Sequence, residues 1–301
     1  MTDRQPFSGI RSFLFVPGND QRKLAKVFGV GADAVILDLE DAVAIAEKED
    51  ARATVNEALQ SARSCLGYVR VNALGSGYCR EDLEAVVARG VDGIVLPKVE
   101  SSECLEAVDG MLAAFEERAG LEVGAIDLMP IVETALGVES AIDIVRSDTR
   151  VKRLSFGAGD YTLDLDYEWN ADEAVLDFAR TRLSHASRIG GLEPPIDAAV
   201  VQVSDDDRFL MSARRGRSFG FAGKLCIHPR QVTLCHGVFT PGTEELERAR
   251  AIVAAFEAAE AAGSASVQLD GYFIDYPIVS KAQRTLALAE RLEEQLEDKG
   301  G

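Results

Sequence analysis

Apolar residues in this chain gather into short runs that end in a small or charged residue and give way to stretches with helical spacing. The most informative run is residues 128–132 (LMPIV). It ends in a single carboxylate, Glu133, and turns through Thr134, Ala135 and Gly137 into a helical pattern. A run apolar at successive rather than alternate positions predicts a strand buried on both faces, as in a parallel sheet. A charge at the carboxyl end of such a strand faces a mouth rather than a core. The design recurs where Leu154, Ser155, Phe156 and Gly157 lead to Ala158, Gly159 and Asp160.

The same alternation runs the length of the chain. Residues 12–16 (SFLFV) form the first predicted strand, stopped by Pro17, Gly18 and Asn19, and Asp20 is suited to cap a helix carrying Leu24, Val27 and Phe28. Residues 34–39 form the second, with an acidic end of Asp38, Glu40 and Asp41, and a helix is predicted over 46–62. The third, 68–72 (YVRVN), holds Arg70 and precedes a helix at 81–89. The fourth, 93–97, ends at Lys98, and the helix over 102–119 has apolar residues at 105, 108, 112 and 115, a helical period. Glu133 and Asp160 end the fifth and sixth. A helix with Val175, Phe178, Ala179, Leu183 and Ala186 closes at Gly190 and Gly191. Residues 196–203 form the seventh strand, with Asp197 near its start, followed by a helix opened by Asp205, Asp206 and Asp207. Residues 224–227 form the eighth, ending at His228 and Pro229.

About eight βα units predict an α/β protein of the (β/α)8, or TIM, barrel class with a C-terminal helical extension. A doubly wound open sheet is the rival, but it needs fewer strands and a switch point. The expected organisation is a loose N-terminal arm at 1–10, a catalytic barrel at 11–240 and an extension at 241–301. The extension comprises an alanine-rich helix (251–262), a short extended piece (267–275) and a charged terminal helix (278–298), packing on the barrel or on a neighbouring subunit.

Composition narrows the function classes. Hydrophobic residues make up 47% of the 301, enough for a large core. A formal net charge of −18 argues against a nucleic-acid binder. It does not argue against a small anionic substrate, because a local arginine or a metal can reverse the field in a cleft. Cys65, Cys79, Cys104, Cys226 and Cys235 lack CxxC spacing and read as reduced thiols. No charged-then-apolar leader opens the chain, and no apolar run reaches the ~18 residues of a membrane span. The expectation is a soluble cytoplasmic protein with neither nucleic-acid nor membrane partners.

Glu133 and Asp160, at two successive strand ends, can chelate one hard cation, and oxygen-only ligation by few protein groups suits Mg²⁺. Asp38, Glu40 and Asp41 lie at a strand end in the same mouth and are candidates to hold the metal's waters; an acidic helix start is the other reading of Asp41. Arg70 interrupts a strand, and a buried arginine needs a partner. Its planar fork suits a carboxylate or a developing oxyanion, though an ion pair with an acidic strand end would also satisfy it. Lys98 and Lys224 are candidate Schiff-base lysines of a metal-independent aldolase, a reading the carboxylate pair opposes. His228 is a minor candidate, and three histidines are too few for a typical His-rich transition-metal site. Gly157-Ala158-Gly159 lacks dinucleotide-fingerprint spacing.

Seven segments in order, RSFLFVPGN, ADAVILDLEDAV, YVRVN, DGIVLPKVE, PIVETALG, LSFGAGDYTLDL and GFAGKLCIHPRQV, resemble the citrate lyase β-subunit-like branch of the HpcH/HpaI aldolase family. The resemblance spans residues 11–278. It implies a (β/α)8 barrel in a homo-oligomer, a trimer or hexamer, that binds a CoA thioester across the barrel mouth. It implies Glu133 and Asp160 as Mg²⁺ ligands and Arg70 as the substrate-contacting, catalytic arginine. DGYFIDYP resembles a family segment whose final aspartate, here Asp275, enters an adjacent subunit's site as a catalytic acid or base. Tyr272 and Phe273 replace the more usual small residue and methionine there.

The implied reaction is Mg²⁺-dependent cleavage of a 3-hydroxy-3-carboxyacyl-CoA, of malyl-CoA or citramalyl-CoA type, to acetyl-CoA and a 2-oxo acid. Three alternatives stay open: the β chain of a citrate lyase complex acting on a citryl thioester of an acyl carrier protein, a metal-dependent 4-hydroxy-2-oxo acid aldolase, and a non-catalytic binding protein that keeps the barrel.

Overall fold

Eight parallel strands close into a barrel in sequence order. The computed structural model describes residues 8–300, without the side chains of 296–300. The strands are β1 (Ser12–Pro17), β2 (Ala34–Asp38), β3 (Leu66–Arg70), β4 (Gly93–Leu96), β5 (Asp127–Val132), β6 (Ser155–Phe156), β7 (Ile196–Asp197) and β8 (Gly223–Cys226). Pairing of Phe13 with Leu225 and Leu14 with Cys226 joins β8 back to β1. Helices follow the strands, as the (β/α)8 pattern predicts. Among them are α1 (Gln21–Val27), α2 (Lys48–Leu59), α3 (Cys79–Val86), α4 (Ser102–Ala119), α5 (Ala135–Glu139) and α6 (Ala141–Ile144). Later come α7 (Ala158–Asp164), α8 (Asp177–Ile189), α9 (Asp206–Ser218) and α10 (Pro229–Phe239).

Burial explains why the runs are continuously apolar. Phe13, Ile36, Tyr68, Val95, Met129, Ile131 and Leu225 form one core cluster. Their strand neighbours Leu14, Val35, Leu37, Val69 and Leu128 are equally buried. Successive side chains on a strand point to opposite faces, so both faces are covered. At the amino-terminal ends of the strands, Arg153 bridges Asp127 and Glu193, and Tyr68 Oη donates to Asp127 Oδ2 (2.7 Å). Of the arm expected at 1–10, residues 1–7 lie outside the described residues. Ser8 Oγ donates to Glu193 Oε2 (3.0 Å) and Ile10 belongs to the core cluster, so residues 8–10 are tied to the barrel.

Two helix starts follow the sequence closely. Asp20 accepts from Lys23 N (3.0 Å) and Asp205 from Arg208 N (2.9 Å), both capping orphan amides. The seventh strand departs from expectation, with two residues rather than 196–203. Ala198 and Val200 are buried, but Gln231 Nε2 donates to Val200 O (2.8 Å), so a side chain rather than a neighbouring strand satisfies that carbonyl.

The chain divides into two compact units, Met1–Gly237 and Val238–Gly301, where the sequence reading drew its boundary after residue 240. In the second unit α11 (Thr243–Ala261) starts eight residues before the expected helix, and α12 (Tyr276–Gly300) ends the chain. The predicted extended piece is a hairpin of β9 (Val267–Leu269) and β10 (Tyr272–Ile274). Its turn uses Asp270 (φ 50°) and Gly271 (φ 80°), the left-handed pair that matches strand twist in two-residue hairpins. Ile274, Phe256 and Val279 form this unit's own core. No helix among the described residues is long and apolar enough to cross a membrane.

Candidate metal and substrate site

The carboxyl ends of the barrel strands surround a cavity of about 930 Å³, within the barrel unit. Its lining includes Asp38, Arg70, Glu133 and Asp160, so the two expected ligands and the expected arginine share one space. In such barrels the strand-end loops of this face carry the chemistry.

Glu133 directly follows β5 and is only 4% exposed. Its Oε1 accepts from the Lys98 backbone N–H (2.9 Å). Lys98, just past β4, itself adopts φ 53°, an uncommon left-handed conformation for a non-glycine residue. On the other side Gly157 makes room, because a Cβ there would lie 2.2 Å from Glu133 Oε2. Burial, and next the negative charge of Asp160, push the Glu133 carboxyl up to about 8. Asp160 sits in the first turn of α7, partly exposed.

Arg70 ends β3 and is held on several sides. Its Nε donates to Asp38 Oδ1 (2.7 Å) and its Nη2 to Asp38 Oδ2 (2.6 Å), a two-pronged pair. Nη1 lies 3.0 Å from Glu40 Oε2, and the guanidinium stands 4.8 Å from the centre of the Phe15 ring. Burial alone would lower the Arg70 pKa, but the Asp38 hydrogen bonds and the surrounding carboxylates hold it above its ordinary value. Asp38 also orders its own loop, accepting from Glu40 N (2.9 Å) and Ala42 N (3.1 Å). Asp38 and Glu40 are thus engaged with Arg70, and Glu40 with Lys98 as well. Asp41 is exposed, 3.7 Å from Lys98 Nζ. Burial raises the Glu40 carboxyl despite Arg70 nearby.

Neither lysine is set up as a Schiff-base nucleophile. Lys98 Nζ donates to Glu40 Oε1 (2.7 Å), and this carboxylate outweighs burial to raise its pKa. Lys224 is fully buried and donates to Asp197 Oδ2 (2.7 Å) and Ser212 Oγ (2.9 Å), beside Arg180. His228 lines the cavity, its Nδ1 accepting from Arg230 N (3.2 Å). Asp275 belongs to the second unit and opens α12, its backbone carbonyl accepting from Val279 N (3.0 Å).

Two groups on the cavity wall escaped the sequence reading. Arg22, Lys23 and Lys26 of α1 line it and bring positive charge to an acidic protein. Three cations within one short helix behind the first strand were the available signal. Trp169, beyond α7, also lines it, with no sequence signal beyond being the single tryptophan.

The donor set fits a hard divalent cation. Asp38, Glu40, Asp41, Glu133 and Asp160 face Arg70 and Lys98, and burial, with the charge of Asp160 next, raises the Glu133 carboxyl, a penalty that a bound cation would offset. Among the described residues no three His, Cys, Asp or Glu side chains are gathered as a metal cluster. The two carboxylates suit an ion that completes its shell with water and substrate oxygens.

The profile of the HpcH/HpaI aldolase/citrate lyase family matches residues 11–229. Citrate lyase subunit beta of Leuconostoc mesenteroides is 34% identical over 281 residues, covering 93% of each chain. The (3S)-malyl-CoA thioesterase of Cereibacter sphaeroides is 33% identical over 284 residues, covering 94% of this chain and 95% of the other. Among solved structures, CitE of Mycobacterium tuberculosis in complex with magnesium, acetoacetate and coenzyme A superposes with a TM-score of 0.77 at 28% identity, covering 95% and 99%.

Proposed function

This chain belongs to the HpcH/HpaI aldolase/citrate lyase family, and on that premise we propose that it is a Mg²⁺-dependent carbon–carbon lyase. Its substrate would be a 3-hydroxy-3-carboxyacyl-CoA of malyl or citramalyl type, its products acetyl-CoA and a 2-oxo acid. The observation that carries this reading is Glu133, Asp160 and Arg70 lining one cavity at the carboxyl ends of the strands. A relative crystallised with magnesium and coenzyme A supports it.

Glu133 and Asp160 would hold the Mg²⁺. When bound, the cation supplies a Lewis acid beside which negative charge on a substrate oxygen is tolerated. Arg70, fixed by Asp38 and Phe15, presents its guanidinium to the oxygen that turns from hydroxyl to carbonyl as the C–C bond breaks. Because it is already oriented, little reorganisation is needed during the reaction. Arg22, Lys23 and Lys26 offer cations to the phosphates of the CoA moiety.

Cleavage releases the hydroxyl proton to solvent and leaves the enolate of acetyl-CoA, which needs a proton. Asp275 from a neighbouring copy of the chain supplies it, and acts as the base in the condensation direction. The extension would therefore complete the site of another subunit in a homo-oligomer. Five free cysteines agree with a reducing compartment, which supports a cytoplasmic setting for the activity.

Running the reaction in reverse tests this reading. Acetyl-CoA and glyoxylate or pyruvate, incubated with the purified chain and Mg²⁺, should yield the hydroxyacyl-CoA by mass spectrometry, and EDTA should stop it. A product made equally well in EDTA would remove the metal from the account. Identity to citrate lyase subunit beta favours a second reading, a citryl thioester of an acyl carrier protein, to be tested with that carrier-bound substrate.

A further inference from the structure

The cavity has a charged side and an apolar floor. Asp38, Arg70, Glu133 and Asp160 make the charged side. Phe15, Ile131, Ala199 and Leu225 also line the cavity, and all four belong to or pack against the core cluster that fills the barrel. Ile131 and Leu225 are buried, whereas Phe15 and Ala199 are half-buried and keep accessible surface.

This floor adjoins the reacting groups. Residues 131 and 133 are two apart along β5 and its end, so their side chains share one side. A Cβ on Gly157 would meet Ile131 Cγ2 at 3.0 Å as well as Glu133 Oε2 at 2.2 Å. The Arg70 guanidinium stands 4.8 Å from the centre of the Phe15 ring. The expected metal ligand and the arginine are therefore both set against the same apolar surface.

The carbinol carbon of a 3-hydroxy-3-carboxyacyl thioester carries four groups. Its hydroxyl and carboxylate suit the cation and Arg70, and its thioester arm suits the exposed cations Arg22, Lys23 and Lys26 of α1. The fourth group is left to the floor, and it is what distinguishes the oxo acids: hydrogen for glyoxylate, methyl for pyruvate, carboxymethyl for oxaloacetate. A carboxymethyl group would need a cation there, because a desolvated charge without a partner is unfavourable. Arg70 is engaged by Asp38 and Glu40, and Lys98 by Glu40. His228 stands at the exposed rim, three residues past Leu225. A hydrogen would leave apolar surface uncovered, which a methyl group covers. Resting on the lyase reading above, we propose that Phe15, Ile131, Ala199 and Leu225 form the subsite for this fourth group and select a small alkyl substituent. Ala199 is the smallest of the four, so a larger residue there would take the substituent's place.

Condensation of acetyl-CoA with pyruvate, glyoxylate or oxaloacetate in the presence of Mg²⁺ reads the selection. Wild type should use pyruvate about a hundredfold better than oxaloacetate in kcat/KM. Ala199→Val enlarges the side chain on the floor and should lower the ratio of pyruvate to glyoxylate turnover about tenfold. Calorimetry gives a reading that does not depend on turnover: the pyruvate affinity of Mg²⁺-loaded Ala199→Val should fall by a similar factor, while its Mg²⁺ affinity stays that of wild type. Ala199→Gly, which cannot overpack, should raise the use of 2-oxobutyrate relative to pyruvate. Unchanged selectivity in both variants, or oxaloacetate used better than pyruvate by wild type, overturns the subsite alone. A wild-type chain that makes no hydroxyacyl-CoA from any of the three oxo acids overturns the lyase reading and this subsite with it.

Discussion

A Cβ on Gly157 would lie 2.2 Å from Glu133 Oε2, so the carboxylate after β5 occupies space that only a glycine after β6 leaves open. Gly157 has φ −110°, a conformation any residue adopts, so it is required here for room and not for backbone freedom. Gly157→Ala should push the Glu133 carboxylate aside. Overpacking of this kind costs about 1–3 kcal/mol, which the barrel tolerates. Metal affinity should fall by about tenfold or more. Calorimetric Mg²⁺ titration alongside circular dichroism checks this, and unchanged affinity in a folded variant counts against Glu133 as a ligand.

Metal binding should depend on pH through Glu133. Burial and Asp160 raise its carboxyl from 4.5 to about 8. Between those values the folded, metal-free protein holds a proton that the unfolded chain releases. This group's contribution to stability therefore falls as pH rises through that window. Mg²⁺ needs the carboxylate, so affinity should rise with pH and level off above about 8, with one proton released per ion bound below it. Titrations in two buffers of different ionisation enthalpy count that proton. A pH-independent affinity would be the contrary result.

The grip of Asp38 on Arg70 should matter to turnover more than to binding. Arg70→Lys keeps the charge but loses the two-pronged geometry, and kcat should drop about 10²–10³-fold. Asp38→Asn keeps the shape and disturbs the pair, so its loss should be smaller but in the same direction. Steady-state kinetics on both variants decide it, and a wild-type kcat for Arg70→Lys would free the arginine from the mechanism.

If Asp275 serves a neighbouring site, two dead enzymes should rescue each other. Glu133→Ala and Asp275→Asn should each be inactive alone, yet mixing them under subunit exchange should restore cleavage through sites with one intact residue from each. Mixed oligomers that stay silent would place Asp275 outside the reaction.

Lys224 illustrates a polar group built for stability. It is buried with Asp197, Arg180 and Ser212, and burial of Asp197 is outweighed by Lys224 and Arg180, which lower its pKa. Removing one member leaves a buried charge unpaired, so Lys224→Ala should cost about 3–5 kcal/mol by denaturant unfolding. Borohydride with a 2-oxo acid should trap no adduct on the wild-type enzyme, and an adduct on Lys224 would revive the Schiff-base reading.

Much of the barrel was legible because burial on both faces makes its strands continuously apolar, as at Ala34–Asp38 and Asp127–Val132. The strand ends that carry Glu133 and Arg70 were legible for the same reason: each charge interrupts or closes such a run. Asp160 was expected to end the sixth strand, but β6 stops at Phe156 and Asp160 lies in the first turn of α7. The seventh strand was overread because Ala198 and Val200 are buried without sheet pairing, so hydrophobicity alone could not tell a strand from a buried loop. The hairpin before Asp275 was read as one extended piece because Asp270-Gly271 was not taken as a turn. Lys98 and Lys224 differ in role through contacts distant in sequence, which spacing cannot reveal.

The most direct test is cleavage by the purified single chain, offered malyl-CoA, citramalyl-CoA and citryl-CoA separately with Mg²⁺. Glyoxylate, pyruvate or oxaloacetate would be followed alongside acetyl-CoA and any free hydroxy acid. The proposed lyase activity should give a 2-oxo acid and acetyl-CoA in equal amounts from malyl-CoA or citramalyl-CoA, abolished by EDTA and restored by Mg²⁺. Release of intact hydroxy acid and free CoA, or silence on all three from a folded, metal-binding protein, would contradict it.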